Sequence, residues 1–212
     1  MYKRRAEYAR SGFFQLVGVA ALNLTVLLCC LALCHREGRG GRLVRLLSTA
    51  LVALSAVLLA SAAWRMTLYV RAYGLSFKRL LTYWGMVLLA VLFAAAVLAV
   101  WRRGTPLFRV FFSVAVAGWL ALNFMNPDYL VAHCNVSLSL NNPQVEVDAA
   151  YMARDLSYDA LPALERLYEA RPDLPQLRQL IEERRRQAGD EAAHWQSWTL
   201  SAQLAAADRR TS

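Results

Sequence analysis

The sequence predicts an all-α protein: a four-span transmembrane helical bundle, a short interfacial helix between spans 2 and 3, and a C-terminal soluble helical module. Three observations predict it. Of 212 residues, 58% belong to the apolar and aromatic set, above the 45 to 50% or so usual in soluble domains. The excess lies before residue 127, in four runs near the roughly twenty residues needed to cross a bilayer. The charge also divides. Residues 1–145 hold fifteen Lys or Arg against three acids, Glu7, Glu37 and Asp128, whereas residues 146–212 hold nine Arg against twelve acids. The first part is therefore +12 and the second −3.

Residues 1–11, MYKRRAEYARS, form a basic, aromatic lead-in at headgroup level. The apolar run that follows is too long for the core of a secretory signal and is kept as a span. The spans run over about 12–34, 46–64, 80–101 and 107–125. Trp64, Tyr83, Trp84 and Trp101 stand near their ends, where amphipathic rings favour the interface. Arg109, in the first turn of the fourth, snorkels outward.

Small residues recur on span 2 (Ser48, Ala50, Ala53, Ser55, Ala56, Ala60, Ser61) and on span 3 (Ala90, Ala94, Ala95, Ala96). In lipid they let helices approach closely, here within the chain rather than between copies. Asn23 and Asn123 read as interhelical hydrogen bonds rather than a substrate pathway.

Between spans 2 and 3, Arg65 to Leu80 (RMTLYVRAYGLSFKRL) is too charged to cross a bilayer. Tyr69 and Tyr73, one turn apart, place both rings on one face of a short helix. Gly74 supplies the left-handed residue that ends it, and Ser76 caps the next. Glu7, Arg10, Arg65, Tyr69, Arg71 and Tyr73 make a candidate interfacial polar cluster, in which Glu7 pairs either with Arg71 or, along its own helix, with Lys3 or Arg10. Lys and Arg counts, eight against seven for four spans, place both termini in the cytoplasm.

Residues 127–145 read as an extended linker, because Pro127 and Pro143 break helix and the Asn residues suit turns. Asn135-Val136-Ser137 matches a glycosylation sequon by a pattern common by chance. The tail, 146–212, carries two helical stripes: Leu161, Leu164, Leu167, Tyr168, then Leu174, Leu177, Leu180, Ile181. Asp159 and Asp173 stand as N-caps, with Pro162 and Pro175 in the first turns, and the short joint at Arg171-Pro172 predicts an antiparallel pair. Glu182 to Arg186, EERRR, reads as a solvated face. A last helix over about 190–209 presents Trp195 and Trp198 as a candidate partner surface.

The basic residues flank apolar spans, so the bilayer is their counter-charge and nucleic acid is not a partner. Cys29, Cys30, Cys34 and Cys134 form no pairing framework, and His35, His133 and His194 lack ligand spacing. No catalytic, cofactor-binding or metal site is predicted, and no cofactor. The reading is an integral membrane protein that anchors an interaction or regulatory module. The alternatives are a transporter or channel subunit, or an interfacial enzyme using Glu7 and the arginines on lipid or envelope material.

Five stretches, EYARSGFFQLV (7–17), RMTLYVRAYGLS (65–76), LNFMNPDYLVAHCN (122–135), AYMARDLSYDALPAL (150–164) and WQSWTLS (195–201), carry a resemblance. The chain resembles a bacterial membrane-protein family known as a domain of unknown function, numbered four-one-seven-three, near four-one-five-three. The resemblance implies a polytopic protein of the bacterial cell membrane and supplies no activity. Members of that family are longer, with spans upstream of Glu7, which implies either a short member or an upstream part outside this chain.

Overall fold

The computed structural model describes residues 2–33, 38–102, 106–142, 148–172, 174–193 and 199–208. Among them every regular element is helical: α1 (Tyr2–Leu33), α2 (Gly38–Tyr73), α3 (Phe77–Trp101), α4 (Leu107–Phe124), α5 (Pro127–Asn141), α6 (Ala149–Arg154), a 3-10 turn (Tyr158–Ala160), α7 (Leu161–Ala170), α8 (Pro175–Ala193) and α9 (Leu200–Asp208). The chain divides into two compact units. One comprises Met1–Tyr69 with Leu81–Leu122, the other Val70–Leu80 with Asn123–Ser212.

The first unit is built on a seam along α2. Ser48, Val52, Ser55, Leu59, Ala62 and Met66 are its buried residues there, and their alternating spacing of four and three keeps one face toward neighbouring helices. Ala20, Leu24 and Leu27 of α1 and Phe93, Ala96 and Val100 of α3 pack with Val52 in one cluster, while Leu59, Ala62 and Met66 pack with Met86 of α3 in another. Between the clusters, the Asn23 amide donates to the Ser55 hydroxyl at 2.9 Å. That is the interhelical role expected of Asn23.

The outside of this unit is apolar. Leu46, Leu54, Val57 and Trp64 of α2 and Phe108, Phe112 and Trp119 of α4 are all exposed, whereas Ser55, Ala62 and Ala96 are fully buried. Large apolar side chains outside, with small residues such as Ser55, Ala62 and Ala96 among the larger ones inside, suit a lipid solvent, where close backbone approach rather than water exclusion drives association. Of the small residues on α2, Ser48 and Ser55 line the seam, and Ala50, Ala53, Ala56, Ala60 and Ser61 face out. Two described helices, Gly40–Tyr73 and Phe77–Trp101, are long and apolar enough to cross a membrane, or three if α4 and α5 form one broken span; Gln15–Cys30 is a shorter apolar helix.

The separate interfacial helix is not found. α2 continues without a break from Gly38 to Tyr73, because nothing between Trp64 and Tyr73 interrupts a helix: Arg65, Met66, Leu68 and Arg71 are all good helix formers. The break falls at Gly74, whose φ is +73°. The left-handed stop is thus where the glycine sets it.

In the second unit, the described part of the expected linker, up to the C-cap Asn142, is helical rather than extended; 143–145 lie outside the described residues. Residues Pro127–Asn141 form α5. Asn126 is left-handed at φ 48°, and its side chain accepts from the Tyr129 N–H at 3.4 Å. Proline at the first helical position costs no hydrogen bond, so Pro127 starts a helix rather than breaking one. α5 buries Val131, Ala132 and Val136, and it packs on α7 and the 3-10 turn.

Leu161, Leu164 and Leu167 of α7 and Leu177 and Ile181 of α8 are buried as the stripes require, whereas Tyr168 and Leu180 are half-buried and Leu174, just ahead of α8, is exposed. Asp159 is not an N-cap. It lies in the 3-10 turn ahead of α7 and accepts from the Ser157 hydroxyl at 3.1 Å, and α7 has no side-chain cap. Asp148 caps α6, accepting from the Tyr151 N–H at 2.9 Å. Asp173 lies outside the described residues.

Candidate functional site

Two places in the second unit gather polar groups. The first is the turn that ends α2. At Gly74 to Ser76 the chain reverses, and the side chain of Asn135 on α5 takes both backbone groups of Leu75. The Leu75 N–H donates to Asn135 Oδ1 at 2.6 Å, and Asn135 Nδ2 donates to the Leu75 carbonyl at 2.7 Å. An amide side chain is one donor and one acceptor held side by side, so it pairs with one residue's backbone as a strand would. Both residues are only 7% exposed. Each group is satisfied where water is scarce.

Gly74 has two reasons to be glycine. Its φ is positive, and a Cβ there would stand 2.9 Å from Asn135 Oδ1. The Arg79 guanidinium donates to the Tyr73 carbonyl at 3.0 Å and to the Gly74 carbonyl. It covers the orphan acceptors at the end of α2 with the charge sign the helix dipole favours. The Tyr151 hydroxyl of α6 accepts from the Phe77 N–H at 3.2 Å, at the start of α3. Asn135, the apparent glycosylation sequon, is therefore a buried clasp.

The second place is a cleft of about 530 Å³ between the 3-10 turn, α7, α8 and α9. Leu161, Pro162 and Leu204 supply apolar wall, and Asp159, Glu165 and Arg185 supply charge. Arg185 donates through Nε at 3.0 Å and Nη2 at 2.6 Å to the same Glu165 oxygen. Arg184 also turns inward, donating to the Leu156 carbonyl at 2.6 Å and lying 4.3 Å over the Tyr158 ring. Two arginines of the EERRR run are thus structural, while Glu182, Glu183 and Arg186 are the solvated part. The Tyr158 hydroxyl is buried with no hydrogen bond of good geometry. Burial, then the nearby Glu191 carboxylate as an off-geometry acceptor, push its pKa up to about 12, against a smaller lowering by Arg184.

Of the residues expected to form an interfacial cluster, Arg65 and Arg71 are exposed along α2 and Tyr73 is exposed in its last turn. Tyr69 packs against the α2 and α3 cluster of the first unit. The side chains of Glu7 and Arg10 lie outside the described residues, and so do Trp195 and Trp198. Among the described residues, no group of His, Cys, Asp and Glu could hold a metal ion.

Local pattern reading missed the clasp. Asn135 and Leu75 stand sixty positions apart, too far for any local pattern to pair them.

No curated protein and no solved structure matches the chain. A family model for a domain of unknown function, number 4153, matches residues 4–167. That stretch holds Gly74, Asn135, Arg79 and Tyr151, whereas α8, α9 and the Trp195–Ser201 stretch lie beyond it. With more than three quarters of its residues inside the match, the chain belongs to the DUF4153 family.

Proposed function

We propose that this protein is a multi-pass protein of the bacterial cell membrane that anchors an interaction or regulatory module at the membrane surface. Four spans, one in each of α1 to α4, carry it, and both termini are cytoplasmic. The observation that supports the module reading is the clasp. The C-terminal helices share a compact unit with the turn that ends α2, so whatever binds the tail acts on a segment joined directly to two long apolar helices. Arg65 and Arg71, in the last nine residues of α2, meet anionic headgroups, each contributing about 1 kcal/mol near a charged surface.

A photo-crosslinking side chain placed in turn at Gln176, Glu183, Leu200 and Arg71 tests the reading in membranes. Discrete protein adducts from the tail positions are expected. The absence of any protein adduct from the tail would refute the reading, and lipid adducts from Arg71, expected wherever it meets headgroups, would not rescue it. Carbonate extraction should leave the chain in the membrane pellet, and a C-terminal reporter should be active only in the cytoplasm.

A further inference from the structure

We propose that the cleft of the second unit docks a partner segment in which a basic side chain is flanked by apolar ones. This rests on the anchored-module reading and adds where the partner binds and what it is made of.

Size and shape point to a chain-like occupant. About 530 Å³ falls within the 300 to 1,000 Å³ or so of ligand pockets, yet the apolar surface does not stop at the mouth. Leu200 and Leu204, one turn apart on α9, are 64% and 61% exposed, and Leu204 lines the cleft. An occupant covering both must run along α9. A peptide does so, with apolar residues on Leu200 and Leu204.

Charge selects what the segment carries. The lining holds two carboxylates, Asp159 and Glu165, and one guanidinium, Arg185. Arg185 is spent on Glu165, because both of its donated hydrogen bonds go to one Glu165 oxygen. Asp159 accepts from the Ser157 hydroxyl, which is neutral. The cleft therefore carries one net negative charge, and beside it Arg184 and Glu191 oppose each other at Tyr158. Tyr129, which is exposed, lines the same cleft, and aromatic faces attract cations; the Tyr158 ring already carries Arg184. Residues 146–212, which supply most of the lining, carry −3, and the whole unit, with Arg71, Lys78, Arg79 and Asp128, carries −1, a sign that favours a basic segment.

The test uses the full chain in nanodiscs of zwitterionic lipid, with empty nanodiscs as blank. The probe is a fluorescein-labelled peptide of sequence ALKALLKAL, against a counterpart with both Lys replaced by Glu, read by fluorescence anisotropy. The Lys peptide should bind above the blank, and the Glu peptide at least about tenfold more weakly. Asp159→Asn keeps the acceptor for Ser157 and should weaken binding about fivefold. Leu204→Ser, at an exposed position, should weaken it by a similar factor with the melting temperature unchanged. Equal binding of the two peptides, no binding above the blank, or no effect of either variant would overturn the proposal. Protein adducts confined to Gln176 and Glu183 would also end the cleft while leaving the anchored module standing.

Discussion

Replacing Asn135 with alanine removes one side chain and leaves two backbone groups of another residue unpaired. The Leu75 N–H and carbonyl now bond at 2.6 and 2.7 Å, and both partners are 7% exposed. A buried polar group that loses its partner costs about 1–3 kcal/mol, so two cost about 2–6 kcal/mol. Water entering the space left by the amide offsets part of that, and we expect about 3 kcal/mol. For a chain of this size the melting temperature should fall by about 6–12 °C. Circular dichroism in detergent measures the fall, and hydrogen exchange locates it: the Leu75 amide should lose protection while amides in the middle of α3 keep theirs. Gly74→Ala sharpens the test. Its cost has a left-handed part of about 1–2 kcal/mol and a steric part from the 2.9 Å approach to Asn135 Oδ1. Only the steric part disappears when Asn135 is already alanine, so the double variant should be more stable than additivity predicts. A loss below about 0.5 kcal/mol for Asn135→Ala, with Leu75 still protected, would refute the clasp.

Tyr158, with its pKa pushed up to about 12, is neutral in the fold at pH values where the unfolded chain has begun to lose that proton. Below about pH 10 both states are protonated and the group adds no pH dependence; from pH 10 to 12 the folded state holds more protons and stability falls as pH rises. Ultraviolet titration of the wild type against Tyr158→Phe should isolate a phenol titrating near the top of that window, and the variant should lose less stability across it. Ala in place of Asn23 should cost about 1 kcal/mol through its bond to Ser55, read as a lower melting temperature with the chain still membrane-integrated. A fragment of residues 123–212 should give a stronger helical signal per residue than one of 148–212, because only the longer one keeps α5 against α7 and the 3-10 turn.

What the sequence made legible was what one residue or one period decides. Gly74 ends α2 because few other residues accept φ +73°, and the stripes of α7 and α8 bury because a 3.6-residue period leaves them one side to face. Misreadings came where one residue type serves opposite ends of a helix. Pro127 and Asn126 are turn residues, and they are also a helix start; a preceding helix made the first reading attractive. Asp159 had the chemistry of a cap, but a 3-10 turn intervened. The clasp and the Arg185–Glu165 pair join residues sixty and twenty positions apart, and no local pattern carries such pairings. Arg184 and Arg185 looked like solvent-facing charge because composition cannot tell which side of α8 meets Tyr158 and Glu165.

The continuity of α2 has a mechanical meaning. Its 36 residues make a rod about 54 Å long at 1.5 Å per residue, nearly twice a hydrocarbon core of about 30 Å. A rod that long cannot be absorbed by the bilayer, and tilting alone hides little of the excess. With the apolar stretch before Trp64 in a bilayer, the last turns from Arg65 to Tyr73 would extend beyond the hydrocarbon layer as stiff helix, so that the turn at Gly74 would be held clear of the lipid tails rather than at their edge.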